Sequence, residues 1–297
     1  MREDFAVFIL THGRPENIST VRVLKEGHYT GKLFFLLDNE DETIDYYVKE
    51  YGKENIIVFD KQLIFDSTDT MELTGEHKAI LFARKAVFQE AEKLGLKYFL
   101  MLEDDFTAIM FRFPEDNKLG YLDCKNLDEL FSAMIDFLIE SDATTVAFAQ
   151  GGDFIGGINQ KNFYKGLLRK AMNSFFCRTD RPIDFRGTMN EDVTAYTTLG
   201  SRGKLFFTFT KANIVQKGTQ SLEGGMSEVY KDTGTFMKSF YSVMSMPSAV
   251  KIAMMGDKHY RIHHNVNWNN CVPEIINQRY KKCCQSVRTK CSTTLTE

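Results

Sequence analysis

The sequence lacks the patterns that would assign it at once to several large protein classes. No apolar run approaches the ~20 residues that a membrane-spanning helix needs, and the acidic start Met1-Arg2-Glu3-Asp4 does not have the shape of a signal peptide. No G-x-G-x-x-G motif follows the first predicted strand, and no G-x-x-x-x-G-K-S/T motif occurs anywhere. The lack of a membrane span and of a signal peptide predicts a cytoplasmic protein. The missing motifs count against a dinucleotide-dependent enzyme and a P-loop NTPase.

The six cysteines form no C-x-x-C pair. In a chain of 297 residues without a secretion signal, we expect reduced thiols and not a disulfide framework. Four of the six lie near the end of the sequence, at Cys271, Cys283, Cys284 and Cys291. A zinc site built from Cys283, Cys284 and nearby histidines is an alternative, although the spacing matches no usual zinc motif.

The charges are distributed unevenly. Residues 1–130 carry 16 Lys and Arg against 26 Asp and Glu, whereas residues 131–297 carry 21 against 14. A basic half predicts a polyanionic partner, because each neutralised phosphate releases counterions. Solvated surface charge is the alternative. The length fits one large domain or two.

Strands and helices alternate through the first half. Continuous apolar runs predict strands at residues 5–10, 32–37, 55–59 and 98–102, and helical spacing predicts helices at 17–26, 43–51 and 76–94. Strands that are apolar without alternation are typical of a sheet buried on both faces. The pattern therefore predicts an α/β fold with a parallel sheet and right-handed crossovers.

Polar residues follow each of these strands. They are Thr11-His12-Gly13-Arg14, Asp38, Asp60 and Glu103-Asp104-Asp105. Functional groups gather at the carboxyl ends of parallel strands, so we expect these side chains at one edge of the sheet. Asp38 could accept hydrogen bonds from a ribose or a base, and Arg14 could pair with a phosphate. Asp38 as a simple turn residue is the alternative.

The acid triplet Glu103-Asp104-Asp105 is the best active-site candidate in the sequence. Three consecutive carboxylates at the edge of a core repel one another, so such a cluster tends to persist where a cation or polar ligand neutralises it. A solvated turn after the strand is the other reading of the same residues.

Two further patterns lie in the second half. Asn190 or Thr188 can cap a helix that begins near Glu191, which places Glu191 and Asp192 in its first turn. The helix dipole alone explains acids there, but either could also take a proton from an acceptor. If residues 260–263 form a strand, His263 and His264 face opposite sides, and a histidine could complete a metal shell begun by Asp105. A histidine hydrogen-bonded in a loop is the alternative.

Several short segments after the fourth strand are also interpretable. Residues 145–149 predict a strand, and the paired glycines 151–152 and 156–157 predict tight turns or close approach to a ligand. Two strand-like runs, 205–210 and 213–216, precede a polar glycine-rich stretch at 218–225 that reads as a mobile loop.

Taken together, these features resemble a GT-A glycosyltransferase. More narrowly, Leu102-Glu103-Asp104-Asp105, Arg186-Gly187-Thr188-Met189-Asn190-Glu191-Asp192 and Arg261-Ile262-His263-His264 resemble the TET/JBP-associated glycosyltransferases. That family includes phage enzymes that decorate hydroxymethylated pyrimidines in DNA, and the kinetoplastid base J enzyme. The resemblance spans residues 5 to 276. It implies a Rossmann-like, mostly parallel central sheet flanked by helices, in one domain over residues 1–285 with a tail at 286–297.

Within that domain, the resemblance implies a donor-nucleotide half at residues 1–130 and an acceptor half at 131–285. Asp105 would bind Mn²⁺ or Mg²⁺, although the motif begins with Glu103 where the family has Asp, and Glu103 would reach the ribose or a metal-bound water. His263, or else His264, would be a further metal ligand. The remaining donor residues by resemblance are Thr11, His12, Arg14, Asp38, Arg84 and Asp104, holding a UDP-sugar.

On the acceptor side the resemblance implies that Asp192 is the base, with Glu191 as its neighbour or substitute, and that the anomeric configuration inverts. A retaining route stays open. The acceptor would be a 5-hydroxymethylpyrimidine in DNA, in particular 5-hydroxymethylcytosine, with residues 173–177 or Trp268 stacking on an extruded base. A glycan, lipid or protein acceptor, a nucleotidyltransferase and a non-catalytic binding protein are the alternatives.

Overall fold

The computed structural model describes residues 1–71, 80–217, 237–256 and 261–273. Within these residues a ten-stranded sheet has the order β3-β2-β1-β4-β9-β7-β10-β5-β6, with β8 also paired to β10. The strands of this sheet are β1 (Phe5–Leu10), β2 (Lys32–Asp38), β3 (Ile56–Phe59), β4 (Tyr98–Glu103), β5 (Phe106–Glu115), β6 (Lys118–Asp123), β7 (Thr145–Ala149), β8 (Leu167–Leu168), β9 (Phe175–Arg178) and β10 (Phe206–Gln216). A separate hairpin pairs β11 (Val250–Met255) with β12 (Arg261–Val266).

The helices connect and cover the strands. They are α1 (Ser19–Glu26), α2 (Ile44–Tyr51), α3 (Lys61–Asp66), α4 (Ile80–Lys93), α5 (Leu127–Glu140), α6 (Lys161–Lys165), α7 (Glu191–Ser201) and α8 (Met237–Ser245). No helix of the described ranges is long and apolar enough to cross a bilayer.

The sheet is mixed but mostly parallel, as the sequence predicted. Strands β1, β2, β3, β4, β6, β7 and β10 run in one direction, and β5, β8 and β9 run the other way. All six side chains of β1 are buried, which explains why this strand shows no polar alternation. Alternate β1 residues enter two cores, one shared with α1, α2 and α5 and the other with α3, α4 and α7. The predicted α/β architecture is therefore confirmed.

The structure differs from the sequence prediction at three places. The hairpin β5–β6 was not predicted. The runs at 205–210 and 213–216 form the single strand β10, whose register against β7 shifts between Phe209 and Asn213. Strand β9 lies antiparallel between β4 and β7. The predicted start of α4 at residue 76, the stretch 218–225, the cysteines at 283 and 284 and the tail 286–297 lie outside the described residues.

Candidate active site

The parallel register brings the predicted donor residues together. Leu10 pairs with Leu36 on one side and with Glu103 on the other, so the loop after β1 lies between the ends of β2 and β4. The Thr11 hydroxyl donates to Asp104 Oδ2 at 2.8 Å, and Arg14 Nη2 lies 3.1 Å from the same oxygen. Burial raises the pKa of Asp104, and Arg14 and Thr11 oppose that rise. Asp104, which is only 2% exposed, thus fixes the loop that carries Arg14.

A second contact joins the ends of β1 and β2. His12 Nδ1 lies 2.8 Å from Asp38 Oδ2, and Lys61 Nζ lies 3.4 Å from Asp38 Oδ1. The hydrogen bond with Asp38 raises the pKa of His12. Burial tends to raise the pKa of Asp38, but the hydrogen bond with His12 outweighs burial, and the pKa of Asp38 is lowered. Asp60, by contrast, accepts a hydrogen bond from Leu63 N at 3.1 Å and caps α3.

Glu103 is held from two sides. Its Oε1 accepts from Arg84 Nη2 at 2.7 Å, and its Oε2 accepts from Gln216 Nε2 at 2.8 Å. Burial raises the pKa of Glu103 to about 7, against the opposing effect of Arg84. The other end of the same guanidinium, Arg84 Nη1, pairs with Glu191. Arg84 is 2% exposed and lies over the Phe175 ring at 5.0 Å, so this geometry gives no support to the expected nucleotide contact.

Asp105 differs from its two neighbours. Its Oδ1 is buried and has no hydrogen-bond partner among the described residues. Burial raises the pKa of Asp105, and Gln216 and Arg14 oppose the rise. A buried carboxylate oxygen without a donor is costly unless a cation or ligand satisfies it. Carboxylate oxygen is also the donor that Mg²⁺ and Mn²⁺ prefer, so Asp105 fits the implied metal.

The histidine ligand is less constrained. Within the described ranges no group of three or more His, Cys, Asp or Glu side chains converges as a metal site. His263 and His264 lie on β12 with ring centroids 4.3 Å apart, and His264 Nδ1 lies 3.3 Å from Asn190 Nδ2. Burial lowers the pKa of His264 to about 4, which keeps its imidazole neutral. The pairing of His263 with Asp105 stays a prediction.

Glu191 and Asp192 lie in the first turn of α7, as predicted, but the side chain of Asn190 does not cap the helix. Asn190 precedes the helix with φ 53°. The Asn190 amide donates instead to the Lys238 carbonyl at 2.9 Å. Glu191 pairs with Arg84, whereas Asp192 Oδ1 accepts a hydrogen bond from the adjacent Val193 N–H at 2.7 Å. Burial raises the pKa of both acids, and the role of Asp192 as the base stays a prediction.

Several site residues were not found from the sequence. The buried Tyr47 hydroxyl lies 2.8 Å from Thr11 Oγ1 and accepts from Arg14 N–H at 3.0 Å, and the buried Lys61 pairs with Asp38. Gln216 was recognisable only as the end of a strand-like run. The buried Asp153, which follows β7, forms an ion pair with the partly exposed Lys170. The one sequence signal that could have indicated such residues is a polar residue at the end of an apolar segment. That signal occurs in any sheet protein, so it does not single out a site residue.

The aromatic segment expected to stack on a base does not face solvent. Phe175 and Phe176 are buried in the two cores, so core packing explains residues 173–177. Trp268 is partly exposed and stacks on Tyr196 with ring centroids 5.6 Å apart. Gly156 and Gly157 have positive φ, as tight turns require, and a Cβ at Gly151 or Gly152 would meet nothing within 4 Å.

A Rossmann-like sheet with a carboxylate triplet after one strand and a buried Glu-Asp pair opening a helix is what a GT-A glycosyltransferase is expected to show. The family model of the TET-associated glycosyltransferases matches residues 5–225, and the chain belongs to this family. The protein is therefore a glycosyltransferase.

Solved structures show remote similarity. Residues 1–349 of S. aureus TarS share 11% identity, with 82% of this chain and 65% of that chain covered and a TM-score of 0.45. Glucosyl-3-phosphoglycerate synthase from Mycobacterium tuberculosis, in complex with Mg²⁺ and UDP, shares 8% identity over 88% of this chain and 87% of that chain, with a TM-score of 0.44. The complex of the same enzyme with Mn²⁺ and UDP-glucose shares 8% identity over 87% of this chain and 85% of that chain, with a TM-score of 0.46. The chain thus spans just under two thirds of the TarS fragment. No curated protein matches the sequence.

Proposed function

We propose that the protein transfers a sugar from a UDP-sugar to the hydroxymethyl group of a 5-hydroxymethylpyrimidine, in particular 5-hydroxymethylcytosine, in phage DNA. The reaction would take place in the cytoplasm of the infected host. The family supplies the reaction class. The single observation that supports the donor side best is the buried Oδ1 of Asp105, which has no hydrogen-bond partner in the described part of the chain and lies beside Arg14 and Gln216.

On the donor side, each residue has a chemically defined task. Asp38, oriented by His12 and Lys61, accepts hydrogen bonds from the nucleoside. Arg14, held by Asp104, faces the diphosphate with its partly exposed guanidinium. Asp105 would hold Mn²⁺ or Mg²⁺, which when bound would offset the negative charge of the departing diphosphate.

On the acceptor side, Asp192 is the proposed base. The hydroxymethyl O–H gives its proton to Asp192, the hydroxymethyl oxygen forms a bond to the anomeric carbon, and the bond from that carbon to the diphosphate oxygen breaks. Attack opposite the leaving group inverts the anomeric configuration. Burial favours this role because it raises the pKa of Asp192 toward the range useful to a general base. Glu191 supports the arrangement through Arg84.

Mass spectrometry of nucleosides tests the proposal. Hydroxymethylcytosine-containing DNA is treated with the protein, Mn²⁺ and a mixture of UDP-sugars, and unmodified DNA of the same sequence is the control. We expect a hexose or pentose mass gain on the modified base alone. Asp192→Asn should lower the rate by about 10²-fold or more, while exposed Asp45→Asn should leave it unchanged. If no UDP-sugar produces a mass gain, the proposal that DNA is the acceptor is wrong. If the protein then still hydrolyses a UDP-sugar, the proposed donor site stands and the acceptor is a different molecule.

A further inference from the structure

A surface around the turn after β7 combines exposed aromatic rings with cations. It is formed by β5, β6, the turn after β7, α6 and β10, and we call it the aromatic-cationic surface. Its members are Arg112, Tyr121, Ile155, Tyr164 and Lys211. It is built on a small core of Ala149, Phe154 and Phe163, with Leu119 packed against it.

Each of the two cations lies over aromatic rings. The Arg112 guanidinium is 5.0 Å from the Phe154 ring centroid and 5.5 Å from that of Tyr121. Lys211 Nζ is 3.3 Å from the Phe163 centroid and 5.8 Å from that of Tyr164. In both cases a buried ring supports the cation, and a second, exposed tyrosine ring lies beside it. The surface therefore offers aromatic faces and positive charge in alternation.

Neither cation is neutralised by an acid within the described part of the chain. Arg112 Nε donates to Asn213 Oδ1 at 2.8 Å, and Lys211 Nζ donates to the Phe163 carbonyl at 3.0 Å. Partial burial lowers the pKa of both side chains. The fold thus holds two partly desolvated cations without a carboxylate partner, which an anionic ligand would relieve.

The surrounding charge has the same sign. The segment 150–172 contains four basic residues, Lys161, Lys165, Arg169 and Lys170, and its one acid, Asp153, is paired with Lys170. The exposed fractions of Tyr121 and Tyr164 are 65% and 59%. Large exposed side chains grouped in one place mark an interaction site more often than scattered ones do.

The surface leads to the proposed base. Phe154 follows Asp153 directly, and Lys170, the partner of Asp153, is close enough to Asp192 to lower its pKa. Asp153 and Lys170 thus connect the turn that carries Phe154 with the electrostatic environment of Asp192. This matches a polymer acceptor, of which one unit reacts and neighbouring units are held outside the reaction centre.

We propose that the aromatic-cationic surface binds an unpaired stretch of the acceptor DNA strand, with bases on the rings of Tyr121 and Tyr164 and phosphates near Arg112 and Lys211. This inference rests on the proposed DNA acceptor. Unpaired strands present both bases and phosphates to a protein, whereas duplex DNA would offer this surface phosphates alone. An acidic peptide would use the cations but leave the rings without a partner.

Fluorescence anisotropy with the full chain tests it. The probe is a labelled single-stranded oligonucleotide containing hydroxymethylcytosine, compared with its duplex. Tyr121→Ala with Tyr164→Ala should weaken single-strand binding at least about tenfold, since each stacked base contributes roughly 1–3 kcal/mol. Lys211→Gln should reduce the salt dependence by about one released counterion. Tyr46→Ala is the matched control, because Tyr46 is 62% exposed on α2 and far from this surface in sequence.

Each outcome decides the matter. Equal binding by the double variant and the Tyr46 variant, or tighter binding of the duplex than of the single strand, would overturn the inference. If wild-type protein still glycosylates DNA in either case, the proposed function stands without this surface. If wild-type protein neither binds nor glycosylates any DNA, both proposals fail. Retained UDP-sugar hydrolysis in the double variant shows that it has folded.

Discussion

At the scale of single residues, Arg84 connects the two sets of acids. Its guanidinium bridges Glu103 at the end of β4 and Glu191 at the start of α7, and Phe175 covers one face. One buried carboxylate, Glu191, and one half-buried carboxylate, Glu103, thus share one buried cation. Removal of a single partner from such an arrangement is costly because it leaves charge without compensation.

Arg84→Gln should therefore destabilise the protein by about 3 kcal/mol. Arg84→Lys should cost less, because it keeps the charge but cannot bridge two carboxylates in a fork. Urea unfolding measures both. Arg22→Gln is the control, since Arg22 is 60% exposed in its pair with Glu26 and should contribute within about 0.5 kcal/mol. Similar losses for Arg84→Gln and Arg22→Gln would contradict the assigned bridge.

The contact between His12 and Asp38 predicts a pH effect. The folded pKa of His12 is raised, so its stabilising contribution is complete below the unfolded value of 6.5 and is lost as pH rises through the folded pKa. The folded pKa of Asp38 is lowered, so its contribution is present above 3.8 and is lost as pH falls through the folded pKa. The pair stabilises the loop between these limits. Its contribution stays below about 1 kcal/mol because His12 is half exposed.

Asp38→Asn should lower the pKa of His12, because it removes the hydrogen bond that raises it. Titration of the imidazole by NMR measures the shift directly. Asp45→Asn, at an exposed position on α2, should leave the His12 titration as in wild type. A His12 titration unaffected by Asp38→Asn would mean that the two side chains do not meet in solution.

At the scale of elements, the apolar runs were the strongest signal. The strands β1 and β7 match their predicted bounds, and β2 and β4 extend one residue further, to Asp38 and Glu103. The strands β1 and β7 are buried along their whole length and β2 and β4 over most of theirs, so burial accounts for their apolar composition. Because these strands are apolar, the first polar residue after each one stands out in the sequence. Thr11, Asp38 and the acid triplet were predicted as site residues in this way.

The hairpin β5–β6 was missed because it is partly exposed and has no strict alternation. Its turn uses Asp116 and Asn117, both with positive φ, between the paired Glu115 and Lys118. A two-residue turn of this kind is a local signal that the sequence does carry. Contacts such as Gln216 with Glu103 depend on which strands become neighbours, and no local pattern contains that information.

Helix α7 depends on the residue that precedes it. Asn190 adopts the left-handed conformation at φ 53°, and its amide donates to the Lys238 carbonyl and to Ser242 Oγ at 3.1 Å. Asn190→Ala should cost about 2–3 kcal/mol, from backbone strain of roughly 1 kcal/mol together with the lost hydrogen bonds. Asn190→Gly tolerates the same φ and should cost about 1 kcal/mol less. Chemical denaturation compares them, and equal losses would show that φ at this position is not strained.

At the scale of the whole molecule, strands from residues 1–130 and strands from the second half of the chain, which we propose to bind the donor nucleotide and the acceptor, are interleaved in one sheet. Strand β4 of the first half pairs with β9 of the second, and β5 pairs with β10. Strands β1 to β4 therefore lie on one side of β9, while β5 and β6 lie at the opposite edge beyond β10. The acids of the two halves meet through Arg84 at the point where these segments join.

A fragment of residues 1–130 should consequently fail to fold, because β4 would lose its neighbour β9 and the β5–β6 hairpin would lose its connection to the sheet. An isolated hairpin is at best marginally stable in water, and Phe99 and Leu100 of β4 would become exposed.

The full chain should unfold in one cooperative transition, detected alike by circular dichroism and by tryptophan fluorescence. Fluorescence reports on the second half of the chain because Trp268 stacks on Tyr196 of α7. The fragment's amide NMR spectrum should show poor dispersion. A dispersed spectrum, or two separate transitions in the full chain, would instead establish the nucleotide-binding half as an independent domain.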